Sequence, residues 1–274
     1  KTPYFRIGEQ IWENSQWKVL NFIFCQRCGY NVPGIHSTCH TDLYSEHNGT
    51  RIPYSGGWHD AGDLSQQTLQ TADVTFALLE SYRKALQSNP VLASRLKEEA
   101  RWGLEFVMKN RYSDGYRASS MGLLHWLDGV VGSKDDIKTV RIQNLPFDNF
   151  LYSGYEAYAA LTLKEEDRKT YDRLVTIAEE DYSFAMEKYL KDGYAGFRQP
   201  YEHQYNTSQS QFMATASWAS SQLYLLTGNQ YYADKAVEFI EYVLECQQKE
   251  PVGEEAINGF FWRDKSRKSI VHYI

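Results

Sequence analysis

Seven stretches of helical periodicity run through this chain of 274 residues, and the connections between them alternate in length. Apolar residues recur at three- and four-residue steps over about 10–28, 64–87, 91–110, 147–163, 167–190, 209–226 and 230–248. Trp17, Leu20, Phe24 and Cys28 mark the first, and Ala72, Phe76, Leu79, Tyr82 and Leu86 the second. Leu96, Ala100, Gly103 and Val107 mark the third; Phe150, Gly154, Ala157 and Leu161 mark the fourth. Asn89-Pro90, Lys164-Glu165-Glu166 and Thr227-Gly228-Asn229 are short links. About 29–63, 111–146 and 191–208 are long and irregular. Antiparallel helix pairs, closed by tight turns at one end and long loops at the other, produce this alternation. The expectation is an all-α fold, an α/α toroid whose inner, even-numbered helices direct their positive N-terminal ends to a shared face. Strand-like alternation is scarce, and no fixed-length repeat favours a solenoid.

The same sequence narrows the function classes. A net charge of -6 without a basic cluster argues against a nucleic-acid partner. No apolar run reaches the length of a membrane span. No secretory signal is visible, and Lys1 in place of Met fits a processed or trimmed start. The aromatic content points elsewhere: 7 Trp, 21 Tyr and 13 Phe exceed what a helical core ordinarily needs. Tyr54, Trp58, Tyr112, Tyr116, Trp126, Tyr201 and Tyr205 fall in the long irregular stretches, where aromatic faces can stack on sugar rings. Packing within the loops is the competing role for each of them.

Gly56-Gly57-Trp58-His59-Asp60-Ala61-Gly62-Asp63 closes the first long stretch. Its glycines permit a sharp turn lying close to a ligand. Asp60 and Asp63, three residues apart before a helical run, can hold a water between two carboxylates. They can equally serve as a turn aspartate and a helix N-cap. Cys25, Cys28 and Cys39 fall within 15 residues and share that region with His36, His40 and His59. Such clustering suits a metal site better than a disulfide framework. Cys246 sits in a helical stretch as a core residue.

Three blocks in order, Gln26-Arg27-Cys28-Gly29, His36-Ser37-Thr38-Cys39-His40 and Gly57-Trp58-His59-Asp60-Ala61-Gly62-Asp63, resemble the N-terminal half of a family 9 glycoside hydrolase, a cellulase and endoglucanase family. The later Ala214–Gly228 stretch is also similar to that family. The resemblance implies an (α/α)6 barrel, of which the chain would supply about seven of twelve helices, and inverting hydrolysis of β-1,4-linked glucans. Asp63 matches the general base that takes a proton from the attacking water, and Asp60 the second aspartate that helps hold it. Trp58, Tyr54, Tyr116, Trp126 and Tyr205 are the expected sugar-contacting aromatics.

The family's general acid is a glutamate near the C-terminal end of the catalytic domain, beyond the reach of this chain. Glu254 and Glu255 lack the acid's context. The expectation is therefore one catalytic domain over 1–274, cut short at its C-terminus, which supplies the base side of the reaction. The alternative is a non-catalytic glucan-binding piece. A missing C-terminal segment or flanking domain would then be the natural partner, and the setting secreted or periplasmic. Members with this Cys-Gly, Cys-His and Trp-His-Asp pattern bind a structural zinc, and the matching positions are Cys28, Cys39, His40 and His59. Cys25 stays open as an alternative ligand. Many relatives also bind calcium through loop carboxylates, though no loop here shows a recognisable calcium pattern.

Overall fold

Helix formation follows the apolar periodicity to within a few residues. The structure is a computed structural model that describes residues 4, 7, 8, 11–62, 64–125, 127–130, 132–194 and 209–245. Its seven helices among the described residues are α1 (Glu13–Cys25), α2 (Thr68–Ser88), α3 (Pro90–Lys109), α4 (Pro146–Leu163), α5 (Arg168–Asp192), α6 (Gln209–Thr227) and α7 (Gln230–Glu245). The short links carry the stop and start signals that separate one helix from the next. Asn89 accepts a hydrogen bond from Leu92 N at 3.0 Å, with Pro90 in the first helical turn. Asp167 caps α5 in the same way through Thr170 N, also at 3.0 Å. Each short link thus joins packed neighbours: α2 with α3, α4 with α5, α6 with α7.

The chain forms two compact units, Lys1–Arg111 with Arg117–Ile142, and Tyr112–Tyr116 with Gln143–Ile274. In the second unit α4 packs on α6 as well as on α5. Fifteen of the 18 residues of α4 are buried, the burial expected of an inner helix covered on all sides. Trp218 of α6 lies directly on Gly154 of α4.

The first unit departs from the sequence expectation. Its irregular stretches contain strands: β1 (Tyr44–His47) pairs antiparallel with β2 (Thr50–Pro53), and β3 (Gln66–Gln67), β4 (Arg117–His125) and β5 (Ile137–Gln143) form a second sheet in that order. The β1–β2 turn is Asn48-Gly49, both at positive φ, the two-residue hairpin signal. The expected helix start near residue 64 is also corrected. Gln66 and Gln67 pair with Met121 and Ser120, so α2 begins only at Thr68. Pairing with a distant strand prevails over local helix propensity. The buried face of α2 is shifted as well: Leu86 is 46% exposed, and Thr75, Leu78 and Ala85 join Ala72, Leu79 and Tyr82 inside. A small core of Leu43, Tyr54, Phe106, Ala118 and Met121 joins the β1 end to α3 and β4.

Candidate active site and metal centre

The exit from α1 and the segment entering the carboxylate turn meet beside α3 and carry Cys28, His59 and Asp60. Helix α1 ends at Cys25, earlier than its apolar period predicts, because the following residues pair with another segment. Arg27 and Trp58 form an antiparallel bridge, Cys28 N donates to Gly57 O at 3.0 Å, and His59 N donates to Gln26 O at 2.9 Å. This pairing sets Cys28 and His59 side by side.

Cys39 and His40 complete the cluster from the intervening loop. One ligand atom from each of Cys28, Cys39, His40 and His59 lies within 4.8 Å of the others, and all four residues are buried. Cys28 Sγ and His40 Nδ1 are 3.4 Å apart, and Cys39 Sγ and His59 Nε2 are 3.3 Å apart. Tetrahedral zinc with Zn–S of about 2.3 Å and Zn–N of about 2.0–2.1 Å requires sulfur-to-nitrogen edges of roughly 3.5 Å. The donor set, two thiols and two imidazoles in a closed group, therefore fits zinc in both chemistry and spacing. The thiols already differ. Its hydrogen bond with Cys28, together with those from His40, His59 and Gly29, holds the Cys39 thiol far below its ordinary range. That same bond, with burial, pushes the Cys28 thiol up. A thiolate thus forms first at Cys39.

The neighbours left open by the sequence fall outside the cluster. Cys25 is half-buried, with its sulfur near Asn21 Nδ2. Both ring nitrogens of His36 are engaged with backbone carbonyls, Ser37 O at 2.8 Å and Cys25 O at 3.1 Å.

His59 leads directly into the carboxylate turn. Asp60 N donates to Ser65 O at 2.9 Å, Ser65 Oγ donates to Asp60 Oδ1 at 2.5 Å, and Leu64 N closes on Ala61 O at 3.0 Å. Asp60 is exposed and lines a cleft of ≈ 360 Å³ with Trp58, His59, Gln70, Thr71, Asp73 and Val74. Asp63 lies outside the described residues. The N-cap position of α2 is taken by Gln67. Gly57 is required where it stands: its φ is +67°, and a Cβ would meet the Phe106 ring at 2.8 Å.

The expected stacking aromatics fare unevenly. Tyr54 is fully buried at 0% exposure, donating to or accepting from Thr68 Oγ1 at 3.0 Å and packing edge-on to Phe106. It is a core residue, and no sugar face can reach it. Trp58 is 6% exposed, with its ring seated on Gly103 of α3, so it forms a wall of the cleft rather than an open platform. Tyr116 is 37% exposed and belongs to the second unit. Trp126 and Tyr205 lie outside the described residues, as do Tyr201, Glu254, Glu255 and Cys246.

A further cluster escaped the sequence reading. Asp128, Asp135 and Asp136 bring carboxylate oxygens within 4.8 Å of one another. Asp136 is 6% exposed; its Oδ2 accepts from Gly132 N at 2.6 Å, while its Oδ1 is buried with no hydrogen-bond partner. The Asp128-Gly129 dipeptide and the adjacent Asp135-Asp136 pair are the local signals of it.

The comparisons agree on one family. The model of glycosyl hydrolase family 9 matches residues 12–273. A metagenome-derived family 9 endoglucanase has a similar structure, at 22% identity and a TM-score of 0.67, covering 88% of this chain and 47% of that one. A thermostable single-mutant endoglucanase from Alicyclobacillus acidocaldarius is similar at 19% identity and a TM-score of 0.67, covering 86% and 48%. The cellulase Cel9M of C. cellulolyticum in complex with cellobiose is similar at 17% identity and a TM-score of 0.68, covering 87% and 56%. The chain thus spans about half the length of the solved structures it matches. This chain has the α/α toroid fold that the helix order predicts, incomplete beside the (α/α)6 barrels it matches. No curated protein matches.

Proposed function

The chain belongs to glycosyl hydrolase family 9, and on that premise we propose that it supplies the base side of an inverting hydrolysis of β-1,4-glucosidic bonds in cellulose-like glucans. The observation that carries this reading is the carboxylate turn itself. Asp60 stands exposed at the edge of a cleft, one residue beyond a buried side chain of the Cys–His cluster. Asp63 takes the proton of the attacking water, and Asp60 holds that water in line. The sugar lies between this water and a general acid on its other face, with the two carboxyl groups about 6.5–9.5 Å apart in an inverting enzyme. Ser65 Oγ, donating to Asp60 Oδ1, fixes the orientation of that carboxylate.

Cys28, Cys39, His40 and His59 would hold a structural zinc, which closes its own coordination shell and tethers the turn to the end of α1. Calcium, the second ion the resemblance admits, is best matched among the described residues by Asp128, Asp135 and Asp136, whose buried Asp136 Oδ1 lacks a partner. A glucan substrate is supported by the cellobiose that Cel9M binds. A polymeric glucan substrate favours an enzyme that works outside the cell or in the periplasm. Among the described residues no helix is long and apolar enough to cross a membrane.

The test is the anomer formed first from a soluble cello-oligosaccharide, followed by proton NMR. Inversion gives the α-anomer before mutarotation, and initial β-anomer overturns the mechanism. Oligosaccharide binding without any turnover would favour the alternative, a glucan-binding chain that does no chemistry.

A further inference from the structure

We propose that Glu99, on α3 and outside every recognised motif, is a positioning residue that locks the carboxylate turn to the metal cluster. Its catalytic consequence rests on the hydrolase reading above; its structural consequence does not.

The Glu99 carboxylate is 3% exposed and accepts from two different segments. Arg27 Nε reaches Oε1 at 3.0 Å and Arg27 Nη2 reaches Oε2 at 2.7 Å. Trp58 Nε1 reaches Oε1 at 2.8 Å. Arg27 precedes Cys28, Trp58 precedes His59, and the two face each other across the antiparallel bridge. A single carboxylate thus grips the residue before a thiol ligand and the residue before an imidazole ligand. Asp60 follows two positions after Trp58.

The surroundings over-determine this arrangement. The Arg27 guanidinium lies 4.6 Å from the Trp102 ring centroid, 4.8 Å from that of Phe24 and 5.3 Å from that of Tyr30. Trp102 in turn donates its indole N–H to Gly57 O at 2.9 Å. The Trp58 ring is pressed onto α3, where a Cβ at Gly103 would meet it at 2.3 Å. A rigid guanidinium fork suits both a carboxylate and stacked rings. Stability alone does not call for it, since desolvation offsets most of the attraction in a buried ion pair and apolar residues fill such space as well. What a bidentate fork and an indole N–H supply is direction. They fix the rotation of Trp58, and with it one wall of the cleft and the backbone that enters Asp60.

Glu99→Gln keeps the side-chain shape but turns an amide N–H toward an Arg27 donor. In the enzyme complete with its general acid it should melt cooperatively, lower kcat on a soluble β-1,4-glucan at least tenfold and leave KM within twofold. Trp58 emission, taken as the difference from the Trp58→Phe chain, should shift to the red. The double variant Arg27→Met/Glu99→Met should regain thermal stability without regaining kcat, which separates positioning from packing. Wild-type kcat in Glu99→Gln, or its recovery in the double variant, overturns the proposal. If the enzyme complete with its general acid turns over no glucan, the hydrolase reading fails and the Trp58 emission decides alone. An unshifted emission in Glu99→Gln would then overturn the register role.

Discussion

Cys39 Sγ and His59 Nε2 stand 3.3 Å apart although twenty residues separate them in sequence, and His59 immediately precedes the exposed Asp60. The Cys–His cluster and the carboxylate turn are therefore contiguous in the chain. A single peptide unit joins the His59 end of the cluster to Asp60.

Elemental analysis should find about one zinc per chain, and essentially none in Cys39→Ser. Zinc at a thousandfold excess over its Kd stabilises by about 4.1 kcal/mol. Chelation should accordingly lower Tm by on the order of 10 °C. An unchanged melting curve after complete demetallation would remove the structural role.

Gly103→Ala should be among the most damaging small substitutions in the chain. A methyl there meets Trp58 and Thr75 side-chain atoms at 2.3 Å. Overpacking of this kind costs about 1–3 kcal/mol, occasionally more. Gly122→Ala has open space around its Cβ and should stay within about 0.5 kcal/mol of wild type. Chemical denaturation of the two variants in parallel checks the contrast.

Alkali should unfold the chain through its buried phenols. Burial pushes the hydroxyls of Tyr54 and Tyr182 well above the usual tyrosine range. Above pH 10 the unfolded chain has lost protons that the folded chain retains, so stability is whole below that pH and falls as pH rises. Tyr54 alone accounts for up to about 1.4 kcal/mol per pH unit. Denaturation midpoints between pH 9 and 11.5 should show this slope, and Tyr54→Phe should flatten it.

The helices were legible because each long apolar period must bury one face, and because Asn89-Pro90 and Asp167 mark boundaries through chemistry local to the link. The strands were not. Gln66 and Gln67 have no strand character of their own and are held by Met121 and Ser120, more than fifty residues away. Asn48-Gly49 was the one hairpin signal open to reading. In the site, Cys28, Cys39, His40 and His59 could be picked out because ligand chemistry restricts residue type. Glu99 could not, since a glutamate in a helix is ordinary until its three donors are seen. Tyr54 misled for the opposite reason: a tyrosine in a long stretch reads as exposed, whereas packing with Phe106 and Leu43 puts it in the core.

The central claim is that Asp63 is the base. Initial rates on a soluble β-1,4-glucan, measured for the enzyme complete with its general acid and for its Asp63→Asn variant with matched melting curves, test it most directly. Removing the base should cost at least about 10²–10⁴-fold in kcat, the usual contribution of general acid–base catalysis, with folding and zinc content unchanged. An Asp63→Asn chain that is folded, zinc-loaded and hydrolyses glucan at the wild-type rate would contradict the account.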